Sequence, residues 1–127
     1  NIHHLIFVHP NIKGGDRTGA LIGTSINTTV ANITITGGAD AIRGKADVGG
    51  LIGRSTSDTI SNITMNNISV GDDYQVVGNN RGGLIGIIVG STSVTNANIT
   101  GSSSSVFGDN DTNTGGLIGQ NNFGVTH

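Results

Sequence analysis

Short apolar blocks alternate with stretches of Gly, Asn, Ser and Thr along the chain, and one block recurs almost unchanged. It reads GGLIG at 49–53 and GLIG at 83–86 and 116–119, with the near copy ALIG at 20–23. The motif leucines are spaced by 30, 33 and 33 residues: Leu21, Leu51, Leu84 and Leu117. A fixed period in this range is typical of solenoids and related repeat arrays.

A second pattern follows each Leu-Ile pair. Val30 and Ile60 come nine residues after the motif leucine, and Val94 comes one residue later in its repeat. Two positions further on stands an asparagine in every case: Asn32, Asn62 and Asn96. Apolar and polar residues alternate on both sides of it, as in a half-buried strand. The apolar face switches at the Asn, which predicts a corner there.

These patterns predict an all-β fold, a parallel β-solenoid of about four coils of 30–33 residues. We expect a single domain over 1–127. It would comprise a partial coil at 1–16, repeats near 17–46, 47–79 and 80–112, and a partial repeat at 113–127. Length variation falls in polar stretches, where loops tolerate insertions.

Successive coils lie roughly 4.7–4.9 Å apart, so equivalent residues stack vertically. The four motif leucines are predicted to form an inward column. The isoleucines after them either share the core through a bend or form an outer stripe, because neighbours on a strand face opposite ways. We favour the core for both columns. The isoleucines are Ile22, Ile52, Ile85 and Ile118.

The recurring asparagines are predicted to form a structural ladder and not a ligand site, because an amide can bond to the same amide one coil above and below. Asn32 and Asn62 also begin N-x-Thr sequons, but a ladder would make them inaccessible. Asn27 and Asn110 lie in predicted turns and are the candidate glycosylation sites.

Composition excludes several classes of protein. Charged residues are 11% of the chain, the net charge is −2, and the six Lys and Arg are scattered, so we expect no nucleic-acid partner. No apolar run approaches the length of a membrane span, so we expect no membrane insertion. Cysteine is absent, which excludes disulfides, thiolate metal sites and Cys nucleophiles.

The four-fold repeat of GLIG, followed by an apolar-x-Asn segment and a Gly-ended strand, resembles the GLUG-motif repeat family. The resemblance covers residues 17–119, and residues 1–16 are similar to the tail of a preceding copy. Ala20 departs from the pattern in the first copy. The resemblance implies a β-solenoid from a secreted or cell-surface, adhesin-like microbial protein. It implies no catalytic residues, since the motif is structural.

Candidate metal ligands are few. His3, His4 and His9 are close in sequence, but the adjacent pair is expected to face opposite ways on a strand, so we predict surface histidines. Oxygen ligands for Ca²⁺ could come from two acidic clusters, although we favour a turn-forming role for them. These acids are Asp72 and Asp73, and Asp109 and Asp111.

We predict no enzyme and no cofactor, because no paired acids and no Ser-His constellation recur on one column. The expected function is a structural or adhesive extracellular module. Its partners would be further copies of the chain or further repeats of the same chain, and in one form of the hypothesis they stack end to end into fibres. The alternatives are a surface that binds or processes carbohydrate, with glycans as partners, or an ice-binding array. The array would use two incomplete rows: Thr34, Thr64 and Asn98, and Thr36, Asn66 and Thr100.

Overall fold

The computed structural model describes residues 1–37, 41–72, 80–101, 104–106, 113–122 and 125–126. These residues form 17 β-strands. The strands pair in parallel in four sheets, each built from one strand of every coil. The predicted fold class, an all-β parallel β-solenoid, is confirmed.

The largest sheet, called the long wall below, has five strands in the order β1-β5-β9-β13-β17. The strands β5, β9 and β13 are eight residues long, the longest of the described strands. The long wall comprises β1 (Ile2–Val8), β5 (Thr29–Thr36), β9 (Thr59–Asn66), β13 (Ser93–Thr100) and β17 (Val125–Thr126).

The other three walls have four strands each. The second wall comprises β2 (Ile12–Lys13), β6 (Ala41–Gly44), β10 (Ser69–Asp72) and β14 (Ser105–Val106). The third wall comprises β3 (Arg17–Thr18), β7 (Asp47–Gly49), β11 (Asn80–Gly82) and β15 (Asn113–Gly115). The fourth wall comprises β4 (Ile22–Ile26), β8 (Ile52–Thr56), β12 (Ile85–Ile88) and β16 (Ile118–Asn121).

The chain visits the walls in a fixed order, so it winds three full turns between β2 and β14. We call β1–β4 rung 1, β5–β8 rung 2, β9–β12 rung 3 and β13–β16 rung 4. The motif leucines stack along the winding, because the N–H of each donates to the C=O of the next leucine over 2.8–3.0 Å. The repeat interval in the sequence is thus the length of one turn.

The core runs through the middle of the winding. Leu51, Ile52, Leu84 and Ile85 are fully buried, so the interpretation that both columns belong to the core is confirmed for rungs 2 and 3. Adjacent residues can both point inward because the chain bends between the third and fourth walls, where β7 ends at Gly49 and β8 begins at Ile52. The outer members Leu21, Ile22, Leu117 and Ile118 are only half-buried.

The second glycine of the motif is required by close backbone packing. A Cβ on Gly53 would lie 2.6 Å from the backbone nitrogen of Thr18, and one on Gly86 would lie 2.6 Å from that of Val48. Any side chain there would push successive rungs apart, whereas glycine permits the approach. Among the described residues there is no helix with the length and apolar character needed to cross a membrane.

Candidate functional site

The outer face of the long wall is shaped by one residue with left-handed backbone in each rung. His4, Asn32, Asn62 and Asn96 have φ values of 57°, 56°, 55° and 52°. Asn adopts this conformation more readily than most residues, since its short side chain can bond locally. The left-handed residue interrupts the strict alternation, so Val30 and Ile33 both face inward. The predicted switch of the apolar face at the asparagine is therefore present, but it occurs inside one continuous strand of the long wall and not at a corner.

The asparagine side chains form a ladder along the wall. Asn96 Nδ2 donates to Asn62 Oδ1, and Asn62 Nδ2 donates to Asn32 Oδ1, each over 3.2 Å. Asn32 Nδ2 lies 3.4 Å from His4 Nε2, so the ladder ends on an imidazole. The prediction that Asn32 and Asn62 are inaccessible is wrong: the left-handed backbone points the amides outward, and they are exposed.

The two neighbouring histidines of β1 lie side by side. The Nδ1 atoms of His3 and His4 are 2.5 Å apart, and the rings meet edge to face with centroids 4.8 Å apart. The expectation that they face opposite ways is wrong. It assumed regular strand geometry, which the positive φ of His4 breaks. Both side chains are exposed.

Beyond the ladder, the outer face is a regular polar grid. Thr34 pairs with Thr64 and Thr64 with Asn98, while Asn66 pairs with both Thr36 and Thr100. The strands β5, β9 and β13 contain no Asp, Lys or Arg. In rung 1 the same columns carry apolar residues instead: Ile6 is 74% exposed and Val8 is 68% exposed.

Charged side chains converge on the third wall, around Asp47. Its Oδ2 lies 3.9 Å from Arg17 Nε and 3.8 Å from Arg54 Nε, and its Oδ1 accepts from Asn80 Nδ2 over 2.8 Å. The chain of contacts continues to Asn113, which donates to Asn80 Oδ1 over 2.9 Å. Arg17 of rung 1 and Asn80 of rung 3 engage this carboxylate of rung 2 from its two sides, so it links rungs.

A second acid, Asp58, is buried at the corner between the fourth and long walls. It accepts from the Ser55 hydroxyl over 2.5 Å and from the Thr28 N–H over 2.8 Å. Its own N–H donates to Thr92 Oγ1 over 3.2 Å. Thr28, Asp58 and Thr92 lie on successive turns, so the Asp58 carboxylate links its turn to the preceding one and the Asp58 N–H links it to the following one. Asp58 is 1% exposed, so its polar atoms find their partners within the fold.

The remaining predicted site residues are spread along the chain. Asp73, Asp109, Asp111 and Asn110 lie outside the described residues, as does the side chain of Asp72. In the part of the chain that the structure describes, no group of three or more His and Asp residues could hold a metal ion. Asn27 is exposed, as a glycosylation acceptor must be, and lies in the turn between β4 and β5.

A cavity of about 430 Å³ lies near rung 4. It is lined by Ile68, Ile99, Ser104, Val106, Thr114, Gly115 and Gly116. The described lining therefore offers apolar contact and the two hydroxyls of Ser104 and Thr114, but no acid–base pair.

Comparisons with known proteins add no assignment: no family model, no curated protein and no solved structure matches the chain. The resemblance to GLUG-motif repeats stays a prediction.

The structure does show which residue of the long wall the sequence reasoning missed. His4 is the rung 1 member of the asparagine column, since Ile2 pairs with Val30 and Leu5 with Ile33. The signal was the apolar-x-His-apolar spacing of Ile2, His4 and Leu5.

Proposed function

We propose that this chain is a structural and adhesive extracellular repeat module of a microbial surface protein, built to continue end to end with further equivalent rungs. The observation that carries the proposal is the direction of the leucine column. Each motif leucine donates its N–H to the C=O of the next, from Leu21 through Leu117. On the second, third and fourth walls, where rung 4 is the last strand, it therefore presents the kind of edge that rung 1 is shaped to join.

The rest of the geometry supports a structural role. The two described acids with several contacts, Asp47 and Asp58, join neighbouring rungs. The asparagine ladder does the same on the outside. Open edges of a parallel stack pair readily with other strands, and neighbouring repeats stabilise one another through their shared interface. The secreted or cell-surface setting rests on the resemblance to GLUG-motif proteins.

End-to-end association is tested by sedimentation velocity over a range of chain concentrations, followed by electron microscopy. Self-association predicts larger species at higher concentration and fibres of uniform width. Leu5→Lys should block it, because it adds an inward-pointing charge at the edge strand β1, where Leu5 is 38% exposed. Ile6→Lys, on the outward side, is the matched control and should associate normally.

Continuation by further repeats of the same chain is tested with a tandem fusion of two copies of 1–127. If the junction continues the winding, the fusion melts in one transition at a higher temperature than the single copy. A chain that stays monomeric at every concentration, and whose fusion melts as two independent units, would contradict the proposal.

A second candidate function is binding to ice, favoured by the uncharged grid of Thr and Asn on the long wall. A carbohydrate surface has less support, because the described residues include one Phe, the half-buried Phe7, and no Tyr or Trp on which a sugar could stack. Thermal hysteresis of the purified chain is the test. Thr64→Lys should remove the activity, and Ser57→Lys, at the exposed corner before β9, should retain it. No hysteresis in the unmodified chain rejects this candidate.

A further inference from the structure

His3 and His4 present two imidazole nitrogens to the same point in space. Their Nδ1 atoms lie 2.5 Å apart, and both rings are open to solvent. A regular strand would separate two neighbouring side chains onto opposite faces. The left-handed backbone of His4 brings them together instead. This local geometry is specific to rung 1, since Ala31, Ser61 and Thr95 stand at the position of His3 in the other rungs.

The second ring nitrogen of His4 has a contact of its own. Its Nε2 lies 3.4 Å from Asn32 Nδ2, and Asn32 is in turn bonded to Asn62 through the ladder. In this arrangement Asn32 donates to Nε2, so the proton of neutral His4 is on Nδ1 and points at His3. Proteins orient a metal-ligating histidine by holding its second ring nitrogen with a neighbouring group.

We propose that His3 and His4 chelate a borderline divalent transition-metal ion through their Nδ1 atoms, with Cu²⁺ bound most tightly. Imidazole suits Cu²⁺, Ni²⁺ and Zn²⁺, and affinity for a nitrogen site is highest for Cu²⁺ in the divalent series. Metal–nitrogen bonds of about 2.0–2.1 Å require the two nitrogens to separate to roughly 3 Å, which exposed rings achieve by small rotations. Water completes the coordination.

The proton that now lies between the two rings has a defined destination. When the metal occupies Nδ1 of His4, the proton of this neutral ring moves to Nε2, with no net release. Nε2–H then needs an acceptor, which Asn32 supplies by turning its amide so that Oδ1 faces the ring. Asn32 Nδ2 then donates to Asn62, and Asn62 to Asn96. The ladder keeps all of its bonds and reverses its direction.

The test is a titration of the folded chain with CuCl₂, with the α-amino group acetylated so that it cannot act as a ligand. Calorimetry should give one Cu²⁺ per chain, and electron paramagnetic resonance should show coupling to two imidazole nitrogens. His3→Gln and His4→Gln should each weaken binding at least about tenfold, and Asn32→Gly, which keeps the left-handed backbone, should weaken it by roughly tenfold.

His9→Gln is the matched control, because His9 is also an exposed histidine with positive φ just after the same strand. It should leave the affinity unchanged. With Zn²⁺, which is diamagnetic, the side-chain amide resonances of Asn62 and Asn96 should shift as the ladder reverses. Coupling to a single nitrogen, an unchanged affinity in His4→Gln, or equal losses in His9→Gln and His4→Gln would each overturn the site. The melting temperature of every variant reports whether folding is intact.

Discussion

Rung 1 and rung 3 of the long wall follow one sequence pattern in two different surroundings. In rung 3, Ile60, Ile63 and Met65 are fully buried because rungs 2 and 4 cover them on both sides. In rung 1 the equivalents of Ile63 and Met65 are Leu5, which is 38% exposed, and Phe7, which is half-buried. The strand itself thus decides whether a side chain points inward, whereas the neighbouring rungs also decide how deeply that side chain is buried.

The outward positions differ in the opposite sense. Rung 3 presents Thr64 and Asn66 to solvent, whereas rung 1 presents Ile6 and Val8. The middle of the wall is polar outside and apolar inside, while rung 1 is apolar on both sides. A further rung stacked on rung 1, as proposed, would cover the inward side chains of β1 and leave Ile6 and Val8 on the outer face.

The largest expected effect comes from the middle of the core. Ile63→Ala should lower the free energy of unfolding by about 2–5 kcal/mol, because it removes buried methylenes and leaves a cavity between two rungs. Leu5→Ala should cost clearly less, since Leu5 is covered on one side only. Urea unfolding of both variants measures the difference. Equal losses would show that rung 1 is covered in solution, for example by a second copy.

The buried acid gives the next largest effect. Asp58→Ala should lower the free energy of unfolding by roughly 3 kcal/mol, because the Thr28 N–H loses its acceptor and the buried Ser55 hydroxyl loses its short bond to the carboxylate. Asp58→Asn keeps one acceptor oxygen and should cost less. Asp16→Ala, at an exposed site, is the control and should be nearly neutral. A neutral Asp58→Ala would mean that water reaches the corner.

The packing of the motif glycine is tested by Gly86→Ala. Its Cβ would lie 2.6 Å from Val48 N and 2.7 Å from Gly53 O. Overpacking of this kind should cost about 1–3 kcal/mol. Gly15→Ala is the matched control, since nothing lies within 4 Å of a Cβ there. Thermal melting of the pair measures the contrast; a tolerated Gly86→Ala would refute close packing between these rungs.

The smallest expected effect comes from the asparagine ladder. Variants of Asn62 separate the contribution of its backbone conformation from that of its side-chain hydrogen bonds. Asn62→Ala should lower the free energy of unfolding by about 1–2 kcal/mol, because alanine disfavours the left-handed region and the two side-chain hydrogen bonds of the ladder are lost. Asn62→Gly removes the same bonds without backbone strain, so its cost isolates the ladder. Asn96→Gly removes a single ladder bond of the described structure and should cost less than Asn62→Gly. Chemical unfolding ranks the three variants, and equal stability of all of them with the unmodified chain would show that the ladder is not stabilising.

Much of the architecture could be predicted from the sequence because a solenoid repeats its local chemistry. The spacing of Leu21, Leu51 and Leu84 is the length of a turn, and alternation around Ile33 and Ile63 marks the inward face. The outward direction of Asn32 and Asn62 could not be predicted, because it depends on a backbone φ that no alternation rule contains. The convergence of His3 and His4 was missed for the same reason.

The sequence by itself determined the period, the parallel winding and the identity of the residues that stack on one another, since all three follow from a repeated pattern and strand geometry. Only the tertiary structure decided how deep each residue lies and what it meets. The neighbouring rungs decide why Leu51 is buried and Leu21 only half-buried. They also decide that Arg17 reaches Asp47 and that His4 meets Asn32. Contacts between turns join residues about thirty positions apart, and their chemistry is fixed only once the winding brings them together.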